Sequence, residues 1–161
     1  LVEFKKASHA VVYKYSVINI FQLNYDARLK SWYDLRTSLA DSNIQTICVE
    51  VDKWWQQAPL VNHYLHPIDV PTWPGPWELI YDNNYCQLAR GLGMIYTLLL
   101  LGVDDIDFRL GTDDNNEDVA LVLVDNAKYV MNYWPDTVLN NNLQEFKFTD
   151  TLYIQELKKK I

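Results

Sequence analysis

The stretch Trp73-Pro74-Gly75-Pro76-Trp77-Glu78-Leu79, followed by the polar turn Asp82-Asn83-Asn84 and then Cys86, decides how this chain is read. An apolar run from Leu88 to Leu101 comes next and closes on Gly102-Val103. A polar turn, a cysteine and then an apolar helix place a thiol at a helix start. Unpaired N–H groups and the macrodipole supply partial positive charge there, and that charge favours a thiolate. Asn83 or Asn84 is the expected N-cap and Gly102 the stop, which predicts a helix over 84–101. Gly91 and Gly93 fall inside it. Each weakens a helix by roughly 1 kcal/mol relative to Ala, so close packing against another element is expected at both.

Strand signals follow downstream. Residues 107–110 read as a short strand and 113–118 as an acidic turn. The apolar run 119–124 suits a central strand. Asp125-Asn126-Ala127 reads as a hairpin turn, 129–134 as the returning strand, and Pro135 ends it. The tail 143–154 alternates Phe146, Phe148 and Leu152 with polar residues, as an edge strand does. Upstream, Ile44, Ile47, Cys48, Val51, Trp54 and Trp55 recur at helical spacing after Asp41-Ser42, and Pro59 bounds that helix. Asp26 is the expected cap of an earlier helix carrying Leu29, Trp32, Leu35 and Leu39. Residues 10–23 read as one or two strands. Pro59, Pro67, Pro71, Pro74 and Pro76 make 59–76 a rigid, irregular connection, and long connections of this kind are often functional. With no internal repeat and no linker, residues 1–161 form one α+β domain, its central helix packed on an antiparallel sheet.

The composition narrows the partners. The formal net charge of −7 leaves no broad basic face for phosphates, which excludes nucleic acid. Lys5-Lys6 and Lys158-Lys159-Lys160 read as solvated tails. Two cysteines allow at most one disulfide, and no glycosylation sequon, signal segment or membrane-length apolar run is present. These features predict a soluble, intracellular (cytoplasmic) protein that does not engage membrane, in the host cell if the chain is of viral or phage origin. No cofactor and no metal is called for. His63 and His66 are three apart, but Cys48 does not complete a zinc site with them. The run 113–118 lacks the sixth-position Gly of a calcium loop, and Val124 stands where its twelfth-position Glu belongs. Six Trp and eleven Tyr enrich the chain in rings that anchor interfaces as well as cores. Trp73 and Trp77, with Glu78 beside them and Trp54 and Trp55 upstream, are therefore the candidate surface for a protein or peptide.

A thiol nucleophile also needs a base, normally a histidine oriented by an Asp or Asn. The only histidines are His9, His63 and His66, and neither strand run holds one. The order of elements resembles the transglutaminase-like cysteine-protease superfamily, and most of all the bacterial transglutaminase-like cysteine proteinases. Their Trp-x-x-Pro-x-Glu-x-Leu segment is matched by Trp73, Pro76, Glu78 and Leu79, and their Leu-Gly-Val helix end by Leu101, Gly102 and Val103. The resemblance covers roughly 44–136. It implies a papain-like or transglutaminase-like fold, with Cys86 at the nucleophile position. Asp118, or Glu117 before it, then falls at the histidine position and Asn132 at the aspartate position. An ungapped match shifts the nucleophile position onto Gln87, and Asn84-Tyr85 stands where the family carries Gly-Asp. A carboxylate in place of the histidine disfavours the thiolate. The expected function is thus a non-catalytic transglutaminase-like domain acting as a protein-binding or structural module. The alternative is a thiol-dependent peptidase or amide hydrolase/acyltransferase, with Cys86 attacking and His63 or His66 as base.

Overall fold

An asparagine before an amphipathic run opens each of the first two helices. Asn24 accepts from the Ala27 N–H to start α1 (Tyr25–Leu39), and Asn43 accepts from the Thr46 N–H to start α2 (Ile44–Trp55). Each side chain satisfies a donor that a helix start leaves orphaned. Asp26, the expected cap of the first helix, lies inside its first turn. α2 buries Ile47, Cys48, Val51, Trp54 and Trp55, the apolar stripe read from spacing. The computed structural model describes residues 18–61, 65–67, 69–140, 142–152 and 154–161. Most of the strand expected over 10–23 lies outside these residues. Within them, Ile20–Gln22 is a 3-10 turn capped by Asn19, not a strand. Its Phe21 leaves any alternation to pack edge-on against Trp54 and Tyr85, at 4.9 and 5.1 Å between ring centroids.

The last proline of the proline-rich connection opens a helix that the sequence reading did not expect. Pro76 is the first residue of α3 (Pro76–Asp82), where a missing N–H costs nothing. Asn83 closes α3 in the left-handed conformation (φ 52°), which Asn tolerates. Asn83 therefore ends one helix instead of capping the next, and α4 (Gln87–Leu100) begins three residues later than 84, with Cys86 itself at the N-cap position. Gly102, at φ +81°, stops the run as expected.

Four antiparallel strands follow: β1 (Ile106–Thr112), β2 (Asp118–Val124), β3 (Tyr129–Met131) and β4 (Lys147–Leu152), ordered β3-β2-β1-β4. One sheet face, with Phe108, Ala120, Val122, Val124 and Met131, joins the core around α4. The other face, with Val119, Leu121, Leu123 and Val130, packs under Tyr133, Leu143, Phe146 and Phe148. β2 is buried on both faces, which is why its sequence is continuously apolar instead of alternating. β4 is the edge strand expected in the tail. The short α5 (Gln155–Lys158) then returns Leu157 to the core.

The helices lock around Thr97. Its Oγ1 accepts from the indoles of Trp32 and Trp55, both at 2.9 Å, and donates to the Gly93 carbonyl at 2.7 Å. The Trp55 ring lies directly on Gly93, where a Cβ would stand 2.5 Å from ring carbons. At Gly91 a Cβ would meet Asn132 and Phe108 at 2.9 Å. Both glycines thus permit close approach to α4, as the sequence led us to expect. Among the described residues, no helix is long and apolar enough to cross a membrane.

Candidate functional site

Cys86 is 7% exposed, and its side chain makes no capping hydrogen bond. The chain just before it is fixed, because Tyr85 bridges Leu60 and its carbonyl accepts from the Val61 N–H at 2.9 Å. One turn further along α4, Arg90 is the one charged residue of the helix, and it is buried. Its Nε donates to Asn132 Oδ1 at 2.7 Å. Asn132 Nδ2 donates to the carbonyls of Gln87 (2.8 Å) and Ala120 (2.7 Å), so one side chain ties the first turn of α4 to β2. The Asn132 backbone N–H donates to Asp52 Oδ1 on α2 at 2.8 Å.

The backbone at Asn132 makes this arrangement possible. Tyr129 and Met131 face the α4 core and Val130 faces away. Strict alternation would turn residue 132 outward. The strand instead stops at Met131, and a left-handed Asn132 (φ 67°) swings its carboxamide to the helix side, against Gly91. The returning strand expected to reach Trp134 is shorter for this reason. Burial raises the pKa of Asp52, opposed by the Asn132 N–H, Gln56 and the Arg90 charge. Burial lowers that of Arg90, opposed by Asp52. Each shift shows desolvation outweighing their mutual attraction. Burial, with Asp125 and Asp52 nearby, pushes the Cys48 thiol up to about 12.

Of the other family positions, Asp118 begins β2 opposite Thr112, at the exposed end of the strand whose Ala120 carbonyl Asn132 engages. Glu117 is also exposed. Its N–H and that of Asn115 close the acidic turn on Asp113 Oδ1, at 3.0 and 2.9 Å. These hydrogen bonds hold the Asp113 carboxyl below its ordinary range, and the Tyr133 hydroxyl adds a third, at 3.0 Å. His63 and His9 lie outside the described residues. His66 is exposed and lines a groove of about 420 Å³ with Asp69, Thr72, Pro74, Glu78 and Asp82; Cys86 does not line it.

The tryptophans divide into two groups. Trp54, Trp55 and Trp73 are buried, and the Trp73 indole donates to the His66 carbonyl at 2.9 Å. Trp77 is 45% exposed on α3, in a T-shaped contact with Trp32 at 6.1 Å between ring centroids, and Glu78 beside it is exposed. Among the described residues, no three His, Cys, Asp or Glu side chains are placed to hold a metal ion.

Sequence reading missed Arg90 and Asp52, the charged members of the buried set. For Arg90 a signal existed, as the one charge inside the apolar run 88–101; for Asp52 it did not, because Glu50 flanks the same apolar stripe of 44–55.

No protein-family model matches the sequence, and neither does any curated protein. Solved structures do match. Legionella pneumophila LapG superimposes with a TM-score of 0.64 at 15% identity, over 81% of this chain and 75% of that one. The same organism's LapG, EGTA-treated, gives 0.63 at 15% identity, over 81% and 74%. The helices packed on a four-stranded antiparallel sheet thus have the fold of LapG, which is transglutaminase-like.

Proposed function

We propose that this chain is a transglutaminase-like domain that has set aside thiol catalysis and serves as a protein-binding or structural module. The observation that carries the reading is the engagement of Asn132. Its carboxamide oxygen accepts from Arg90 and its amide donates to two main-chain carbonyls, so it acts as a clamp between α4 and β2. A carboxamide takes up no proton at neutral pH, and Asp118, at the family's histidine position, has no imidazole with which to form the ion pair of a thiol nucleophile. Cys86, largely covered at the start of α4, then serves as a small apolar residue.

The alternative is a thiol-dependent peptidase or amide hydrolase/acyltransferase using Cys86. It draws on one feature, the place of Cys86 at the head of a fourteen-residue helix. Its base would be His63 or His66. The deciding experiment is iodoacetamide alkylation against pH, read by mass spectrometry with Cys48 as internal control. We expect slow alkylation of Cys86 throughout the range in which the fold holds. Rapid alkylation near neutral pH, lost on replacing His63 or His66, would overturn the non-catalytic reading.

A further inference from the structure

The geometry points to the solvent face of α3 and the groove beside it as a docking surface for a peptide segment that carries lysine or arginine next to an apolar side chain. The inference deepens the protein-binding reading above and rests on it. Trp77 and Tyr81 are four residues apart, so they share one helical face, and they are 45% and 67% exposed. Both rings are seated from beneath, Trp77 edge-on to Trp32 and Tyr81 edge-on to Tyr25 at 5.2 Å. Rings already held in place lose little freedom on binding, which is what makes them good anchors.

The helix that presents them is itself pinned. The Arg28 guanidinium donates through Nε and Nη2 to the Ile80 carbonyl, at 3.1 and 3.0 Å, and through Nη2 to the Tyr81 carbonyl. It thus places positive charge on the last turn of α3, where it complements the helix dipole. On the other side, the Tyr96 hydroxyl donates to the Pro74 carbonyl at 2.7 Å, just before the helix.

Charge decides the occupant. Asp69, Glu78 and Asp82 line the groove, and no lysine or arginine does. The whole chain adds a net −7. Besides Arg28, whose guanidinium is taken up by the Ile80 and Tyr81 carbonyls, two further cations lie nearby. Arg36 stacks on the Trp32 ring at 4.1 Å, on the α1 side of Trp77. Lys160 donates its ammonium to the carbonyls of Pro71 and Trp73, at 3.2 and 2.8 Å. The carbonyls of this connection therefore already accept one ammonium from the chain itself. An incoming lysine or arginine finds the carboxylates of Asp69 and Glu78 on the groove side and the Trp77 ring face for a cation–π contact, while its apolar neighbour covers Tyr81. Acidic segments and nucleic acid are repelled by the same field.

The test uses the full chain and a fluorescein-labelled peptide of alternating lysine and leucine, followed by anisotropy. A glutamate–leucine peptide of equal length is the comparison. We expect binding of the lysine peptide alone, weakened by added salt. Trp77→Ala and Glu78→Gln should each weaken it about tenfold or more, the loss typical of an interface anchor. Asp114→Asn, in the exposed acidic turn, should leave it unchanged. Absence of binding, equal binding of the glutamate peptide, or equal losses from Asp114→Asn and Glu78→Gln would each overturn the docking surface. Thermal melting separates lost binding from lost fold in Trp77→Ala. The alkylation of Cys86 is read independently, so failure here is distinguishable from failure of the non-catalytic reading.

Discussion

At the start of α4, the Asn132 carboxamide binds Arg90 and two carbonyls and its main-chain N–H binds Asp52, so these groups are engaged by the protein itself. Beside α3, by contrast, His66, Asp69 and Glu78 lie at the surface around an open groove. The two regions sit at successive helices joined by four residues, 83–86. The comparison separates two uses of polar groups. Saturated inside the fold they fix its geometry; left in water around a rigid helix they are available to a partner.

Breaking the saturated region should have the largest effect. Asn132→Ala leaves Arg90 buried without its acceptor and removes one donor each from the Gln87 and Ala120 carbonyls. It also places Ala in a left-handed conformation that costs roughly 1–2 kcal/mol by itself. We expect a loss of about 3–5 kcal/mol in urea unfolding, the range for an abandoned buried charge. A loss below about 1 kcal/mol would show that the cluster is ornamental. Gly93→Ala comes next. The gain in helix propensity, roughly 1 kcal/mol, is opposed by a methyl driven into the Trp55 ring, and overpacking costs typically 1–3 kcal/mol. A small net destabilisation is expected, and a more stable variant would mean that the indole yields freely.

The pH dependence sharpens the contrast within one class of side chain. Asp52 has its carboxyl pKa raised by burial. Its stabilising contribution is complete below the ordinary Asp range and is lost as pH rises through the raised native value, because unfolding then releases a proton. Asp113 has the opposite shift, so its contribution is complete above the ordinary range and is lost as pH falls through the lowered value. Midpoints measured across the carboxylate range should therefore fall less steeply with rising pH in Asp52→Asn. In Asp113→Asn they should fall less on acidification. Slopes unchanged by either substitution would refute the assignment. The smallest effect belongs to the open groove, where Glu78→Gln should alter stability by no more than about 0.5 kcal/mol. A larger change would mean that this carboxylate supports the fold.

Much of the architecture is legible in the sequence where apolar residues repeat. The stripe from Ile44 to Trp55, the run from Leu88 to Leu100 and the unbroken apolar strand from Val119 to Val124 all announce their elements. The glycines in α4 also announce close packing, and the structure supplies the partners in Trp55 and Phe108. α3 is hidden because Pro76 and Gly75 read as loop punctuation, although proline at the first helical position is a start signal. Asn83 misleads for a related reason, since Asn both caps helix starts and tolerates the left-handed closing position. The buried set is illegible for a different reason. Arg90 and Asn132 are 42 residues apart, and Asp52 and Asn132 are 80 apart. No local pattern links such residues, and one left-handed residue redirects a side chain without any periodic trace.

Thr97 gives the molecule an optical gauge. Two of the six tryptophans, from separate helices, share this one hydroxyl as indole acceptor, at positions that are almost completely buried. Indole emission moves to longer wavelength when its N–H meets mobile water. Undocking of α1 or α2 from α4 should thus be visible as a red shift, without any label. In Thr97→Val both N–H groups lose their acceptor at once. The same spectrum would then show whether the helices part or stay packed around two unsatisfied donors.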